Sequence, residues 1–189
     1  MQISPQLLSL PNQLTIGRIV AVPVICLLLV SGWEWLRWLA LVLYIAAALT
    51  DWLDGFLARR MNLNSALGKM LDPIADKLLV GALLVTLAWT RDLNGWDLIP
   101  AIAILMREIF VAGLREYLGN RAISVPVTFL AKWKTTVQLT ALALIMAAPM
   151  LLGLNFISHV ALWAAGLLTV WTGWEYLRST WPHLSGPEI

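Results

Sequence analysis

Charge is scarce in this chain: Asp, Glu, Lys and Arg together make up 13% of its 189 residues. So small a share excludes an ordinary soluble globular domain, in which about a quarter of residues are charged. Cysteine is nearly absent, and the one present, Cys26, lies in an apolar run. A lone thiol excludes an intramolecular disulfide framework, and Cys26 is expected to be a small buried hydrophobe. The two histidines, His159 and His183, have no ligand partners at metal spacing, so no role is assigned to them. No basic residue precedes Arg18, so the charged leader of a secretory signal peptide is lacking. The first apolar segment is therefore expected to stay in the mature protein. No internal repeat or low-complexity segment stands out, and no nucleic-acid partner is expected.

Apolar sequence is what the chain has in abundance. Hydrophobic residues form 60% of it, the composition of an integral membrane protein. Apolar runs near residues 16–32, 36–58, 73–90, 98–118, 135–153 and 157–177 each have the length of a membrane-crossing helix. Gly32, the Arg91–Gly95 stretch, Gly119–Asn120 and Gly153–Asn155 suit the connections. The expected fold is one all-α integral membrane domain with six transmembrane helices and an N-terminal juxtamembrane segment over residues 1–15. That segment, interrupted by Pro5 and Pro11, could lie along the interface or form a loose tail.

Lys and Arg collect on cytoplasmic loops. Arg18, Arg59, Arg60, Lys69, Lys77, Arg115, Arg121, Lys132, Lys134 and Arg178 fall on one side of the expected topology, Arg37 and Arg91 on the other. Both termini are thus expected in the cytoplasm. Trp33, Trp35, Trp38, Trp89, Trp96 and Trp181 sit near span ends, as interfacial anchors do.

Against this background, four carboxylates where the second span exits and the third enters demand an explanation: Asp51, Asp54, Asp72 and Asp76. Each costs about 2.5–3.5 kcal/mol at membrane depth, so together they represent ~10 kcal/mol that something must compensate. Asp51 and Asp54 are three residues apart and Asp72 and Asp76 four apart, so each pair projects from one helix face. Brought together, the pairs would repel unless cations intervened, and hard oxygen donors suit Mg²⁺, Mn²⁺ or Ca²⁺. Two divalent ions would balance the four charges and could clamp a phosphoryl or pyrophosphate group. Gly55, Ala58 and Gly68 leave little bulk beside the carboxylates, either for a flat ligand or for close helix packing. Arg59 could pair with a phosphate or snorkel to the interface.

The frame Asp51-x2-Asp54-Gly55-x2-Ala58-Arg59-x8-Gly68-x3-Asp72-x3-Asp76 resembles the signature of the CDP-alcohol phosphotransferases, with all eight fixed positions matched. The resemblance implies a six-helix membrane enzyme that moves a substituted phosphoryl group from a CDP-linked donor to an alcohol and releases CMP. It implies that Asp51, Asp54, Asp72 and Asp76 hold two ions, Mg²⁺ or Mn²⁺, and that Asp76 is also the catalytic base on the acceptor hydroxyl. Gly55, Ala58, Arg59 and Gly68 would line the cytidine and pyrophosphate. A carboxylate with a pKa of about 4 is a weak base, so metal coordination of the hydroxyl is a competing way to activate it.

Outside the signature, Leu10-Pro11-Asn12-Gln13-Leu14-Thr15 with Arg18 and Pro23, Arg107-Glu108-Ile109 with Leu114-Arg115-Glu116, and Ala131-Lys132-Trp133-Lys134-Thr135-Thr136 are similar to one bacterial subfamily of these enzymes. That similarity implies CDP-diacylglycerol as donor, sn-glycerol 3-phosphate as acceptor, and a bacterial inner (plasma) membrane location with the active site cytoplasmic. Asn12 and Thr15 would help to hold the donor's cytidine end. A phosphorylated acceptor needs cations, and Arg107, Arg115, Lys132 and Lys134 are the candidates. Their alternatives are that the arginines only bridge Glu108 and Glu116, and that the lysines are topology signals. Glu108 and Glu116 are expected to orient the arginines. The last two spans read as scaffold, lipid contact or a dimer face, and the resemblance implies a homodimer in membrane lipid. The rival readings are a sister synthase using phosphatidylglycerol, inositol phosphate or serine, a cation-coupled transporter, and a non-catalytic scaffold.

Overall fold

Long apolar stretches satisfy their own backbone hydrogen bonds best as helices, and this chain is helical nearly throughout. The computed structural model describes residues 10–61, 66–93, 95–121, 123 and 129–184, with backbone alone for 10, 11, 51–61, 66, 67, 69, 120, 129 and 132. Six long helices run in order: α1 Leu10–Val30, α2 Glu34–Met61, α3 Ala66–Trp89, α4 Leu98–Asn120, α5 Phe129–Ala147 and α6 Leu154–Leu184. Among the described residues there is no β-strand. The segments Asn12–Val30 and Leu154–Leu184 are long and apolar enough to cross a membrane. The apolar sequence of α3 is broken by Asp72, Asp76 and Lys77, and that of α4 by Arg107, Glu108, Arg115 and Glu116.

Two three-helix groups meet in the bundle. α1 packs on α2 and α3, α6 packs on α4 and α5, and α3 joins the groups by touching α4 and α5. The inward stripe of α1 reads Asn12, Thr15, Arg18, Val22, Ile25 and Leu29, all buried at steps of three or four residues. The stripe is polar at its first half and apolar beyond, so it splits the interior into a polar end and an apolar core. That core holds Ile25, Leu29, Tyr44, Leu83, Leu87, Ile104, Leu142 and Ile145. Tyr44 is buried within it, and its hydroxyl donates to the Leu139 carbonyl at 2.9 Å, tying α2 to α5.

The outward faces are apolar too. Val20, Val24 and Leu27 on α1, Val42, Ile45 and Leu49 on α2, Leu78 and Val85 on α3, Ile102, Met106 and Ile109 on α4, and Leu167, Val170 and Trp171 on α6 are exposed. An apolar surface this continuous has no place in water, but it matches hydrocarbon.

The helices outrun the apolar segments that reveal them. Residues 10–15, expected as part of a separate juxtamembrane segment, are the opening turns of α1, whereas residues 1–9 lie outside the described residues. α3 begins seven residues before its apolar run, and α6 continues seven residues beyond its own. Hydropathy marks only the surface that suits lipid, while helical hydrogen bonding continues through polar turns. α5 ends at Ala147, ahead of a 3₁₀ turn Ala148–Met150 that contains Pro149. At the far end, Arg37 pairs with Asp92 and donates through Nε to the Met146 carbonyl at 3.1 Å. His159, for which no metal role was expected, meets Asp97 there at 2.9 Å.

The α4–α6 seam depends on one small residue. A Cβ built on Gly166 would lie 2.6 Å from Pro100 Cβ and 3.0 Å from Pro100 Cα. Neither atom can retreat, because both belong to a ring-constrained residue in the first turns of α4. Gly166→Ala is expected to cost about 1–3 kcal/mol as overpacking. Gly17, with no described atom within 4 Å of its built Cβ, is the control. Gly17→Ala should hold or raise the melting temperature in detergent micelles while Gly166→Ala lowers it; equal melting of both variants would refute the seam.

Candidate active site

The polar half of the α1 stripe faces α3 and brings together residues far apart in sequence. Thr15 Oγ1 donates to Asp72 Oδ1 at 2.7 Å. One turn on, Arg18 Nη1 donates to Asp76 Oδ1 at 3.0 Å. The i, i+3 spacing on α1 thus matches the i, i+4 spacing on α3, and two hydrogen bonds fix the register of the two helices. The Arg18 side chain is only 1% exposed, whereas Asp76 is 56% exposed. The carboxylate therefore has its inner side against a buried guanidinium and its outer side open.

Behind Asp76 lies a cavity of about 90 Å³, with room for several water molecules. Its wall includes Arg18 from α1, Ala47 and Ala48 from α2, Asp76 from α3, Glu108 from α4, and Lys134, Thr135 and Gln138 from α5. Lys134 is buried and forms an ion pair with Glu108. Glu108 also meets Arg107 Nη1 at 3.5 Å, so one carboxylate serves two cations. A buried charge persists only when paired in this way, and the chain Arg107–Glu108–Lys134 supplies the pairing. Gln138 follows Lys134 by one helical turn and is 2% exposed.

The other residues singled out from sequence are placed as follows. Asn12 is buried on the same face of α1 as Thr15. Gly68 lies one turn before Asp72 on α3. Arg115 lies outside the cavity wall, with its guanidinium carbon 5.8 Å from the centroid of the Tyr176 ring on α6. Arg107 reaches the cavity only through Glu108. The side chains of Asp51, Asp54, Ala58, Arg59 and Lys132 lie outside what the structure describes, and Gly55 is placed by its backbone alone; α2 and α5 carry these positions. Asp51 comes four residues after Ala47 of the cavity wall.

Three residues acquire a place here that sequence alone did not give them. Arg18 read as a topology signal, yet it is the partner of Asp76. Its signal was its step of three from Thr15 and six from Asn12, which puts a charge on an inward stripe. Glu108, expected to orient an arginine, also holds Lys134. Gln138 had no signal beyond its four-residue step from Lys134, and with it α5 is more than scaffold.

Chemically, the arrangement offers a half-exposed carboxylate able to take a proton or bind a cation, set against buried cations able to bind an anion. The donor chemistry at Asp72 and Asp76 fits a hard divalent ion: both are carboxylates on one helix face with oxygens toward open space. A carboxylate and an ammonium group thus line one cavity at the polar end of the bundle.

Comparison with known proteins identifies the family. The family profile described as CDP-alcohol phosphatidyltransferase matches residues 8–171, and the chain belongs to that family. A Rickettsia bellii protein named CDP-diacylglycerol–glycerol-3-phosphate 3-phosphatidyltransferase is 43% identical over 174 residues, covering 90% of this chain and 94% of that protein. A Cereibacter sphaeroides protein of the same name is 37% identical over 217 residues, covering 93% and 97%. A rice protein (Oryza sativa subsp. japonica) named cardiolipin synthase (CMP-forming) is 38% identical over 194 residues, covering 94% of this chain and 59% of that protein.

Proposed function

We propose that this enzyme transfers a phosphatidyl group from CDP-diacylglycerol to sn-glycerol 3-phosphate, giving phosphatidylglycerophosphate and CMP. The observation that carries this reading is the shared cavity, in which the Asp76 carboxylate and the Lys134 ammonium face one space. A phosphorylated alcohol needs both, an acceptor for its hydroxyl proton and a cation for its phosphate. The relatives from Rickettsia and Cereibacter, aligned over nine-tenths of this chain, support the same acceptor.

In this reading Asp51, Asp54, Asp72 and Asp76 would hold two divalent ions, Mg²⁺ or Mn²⁺, which supply charge neutralisation for the diphosphate as its anhydride bond breaks. Thr15 and Arg18 orient Asp72 and Asp76 through the hydrogen bonds described above. Asp76 takes the proton of the acceptor hydroxyl. Asn12, Thr15, Gly55, Ala58, Arg59 and Gly68 receive the cytidine and pyrophosphate end of the donor. Lys134 binds the acceptor phosphate, with Arg107, Arg115 and Lys132 adding positive potential around it.

The chain crosses a bacterial inner membrane six times, with both termini and the site on the cytoplasmic side, and works as a homodimer. Helices of 19 to 31 residues support the six crossings, since about 20 residues span a bilayer core. The exposed apolar faces of five helices support them as well. Donor acyl chains then enter from lipid, and the phosphoalcohol enters from water.

CMP release by purified protein tests the assignment, in mixed micelles with CDP-diacylglycerol and Mg²⁺ and with glycerol 3-phosphate, glycerol, inositol phosphate, serine or phosphatidylglycerol in parallel. Turnover with glycerol 3-phosphate is expected to exceed that with glycerol or serine, which carry no phosphate, by at least about tenfold, since a lost charged hydrogen bond is worth ~1.5–3 kcal/mol; inositol phosphate keeps the phosphate, so its rate tests the fit of the alcohol instead. Turnover with phosphatidylglycerol alone would instead favour a cardiolipin synthase, the second reading, which the rice relative supports. No turnover with any acceptor, in Mg²⁺ or with Mn²⁺ in its place, would restore a transporter or scaffold.

A further inference from the structure

The acceptor of the proposed reaction carries a phosphate, a primary hydroxyl that reacts and a secondary hydroxyl that does not. Lys134 and Asp76 answer the first two, and the cavity wall holds one more polar group with an unmet need. Gln138 Oε1 is fully buried and has no hydrogen-bond partner among the described residues. Its side chain stands on the cavity wall one helical turn from Lys134, on the same face of α5. Its polar neighbours there have other partners: Glu108 is paired with Lys134, and Arg18 with Asp76. A buried amide oxygen that merely filled space would be replaced without loss by an apolar side chain of the same length. Here it stands on the same cavity wall as the group that would bind the phosphate and the carboxylate that would meet the reacting hydroxyl.

We infer that Gln138 is a specificity-determining residue whose amide oxygen accepts a hydrogen bond from the secondary hydroxyl of the phosphorylated acceptor. The inference rests on the function proposed above and deepens it: the enzyme selects a phosphoalcohol with adjacent hydroxyls over one with a single hydroxyl. A site built to bond a hydroxyl rejects the analogue that lacks it, because the protein group is then left buried and unpaired.

The test compares sn-glycerol 3-phosphate with 3-hydroxypropyl phosphate, which keeps the phosphate and the primary hydroxyl but lacks the secondary one. Full-length protein is assayed in mixed micelles with CDP-diacylglycerol and Mg²⁺. The wild type is expected to prefer glycerol 3-phosphate by roughly tenfold to a hundredfold in kcat/KM. In Gln138→Met the preference should fall to within about threefold of unity, chiefly through a higher KM for glycerol 3-phosphate. A melting curve of Gln138→Met in the same micelles guards against a folding defect in that variant. Equal wild-type rates with the two acceptors would overturn the inference without recourse to any variant. So would a Gln138→Met protein slowed on both acceptors in the same proportion, the mark of a packing role. Failure of the wild type to use either phosphoalcohol would instead overturn the proposed function, and the inference with it.

Discussion

Asp76→Asn is expected to lower CMP release by about 10³-fold while leaving the fold intact, within the 10²–10⁴-fold range typical for loss of a general base. The substitution keeps the side chain's shape and keeps an oxygen that can accept from Arg18 Nη1, now at 3.0 Å from Asp76 Oδ1. What it removes is the negative charge. That charge has two uses in the proposed reaction, taking the hydroxyl proton and helping to hold a divalent ion, and an amide serves neither well. Arg18, 1% exposed, loses a countercharge but keeps an acceptor in the amide oxygen, so a lowered melting temperature without unfolding is expected. The measurement is CMP release beside a melting curve in the same micelles, with Mg²⁺ titrated over both proteins. A folded variant within tenfold of wild-type activity would remove Asp76 from the chemistry. A variant rescued by high Mg²⁺ would assign the residue to metal holding rather than to proton transfer.

The periodic features were legible in the sequence, and the features that depend on how helices meet were not. Each helix announced itself as an apolar run of helical length, and exposed residues such as Val20, Val24 and Leu27 make the outward face of α1. The ends were less legible, since Asn12, Thr15 and Arg18 break the apolar run while staying helical and turning inward. Within one helix, the four-residue step from Asp72 to Asp76 predicts a shared face without any knowledge of the neighbours. Between helices no such rule exists. Arg18 and Asp76 are 58 residues apart, and Lys134 and Glu108 are 26 apart, so their meeting depends on helix register, which side-chain packing decides. Counting cations made Arg115 an acceptor candidate, and the count carried no information on the Tyr176 ring beside it.

Glu108→Leu should produce the largest loss of stability of any single change at the polar end, about 3–5 kcal/mol, the usual cost of leaving a buried charge without its partner. Two cations depend on this carboxylate: Lys134, whose side chain is 3% exposed, and Arg107, at 14%. With Glu108 gone the two cations are left unpaired, Lys134 on the cavity wall at 3% exposure, and their mutual repulsion adds to the cost. The argument has a built-in control, because the cost comes from the orphaned charges rather than from the lost contact. Glu108→Leu combined with Lys134→Met removes the deeper of the two cations and should recover at least about half of the lost stability, a coupling far beyond the additivity of independent sites. Activity should move the other way. The double variant is expected to fold yet show a KM for glycerol 3-phosphate raised at least about tenfold, since a charged hydrogen bond to the phosphate is worth ~1.5–3 kcal/mol. Thermal unfolding in detergent micelles together with the acceptor KM reads both quantities. A single variant within about 1 kcal/mol of wild type would show that the cations escape to solvent. A double variant that recovers stability and also keeps its acceptor KM would make Lys134 a structural cation only, and the phosphate would then have to be held from the α1 side of the cavity, where Arg18 is the one described cation on the wall.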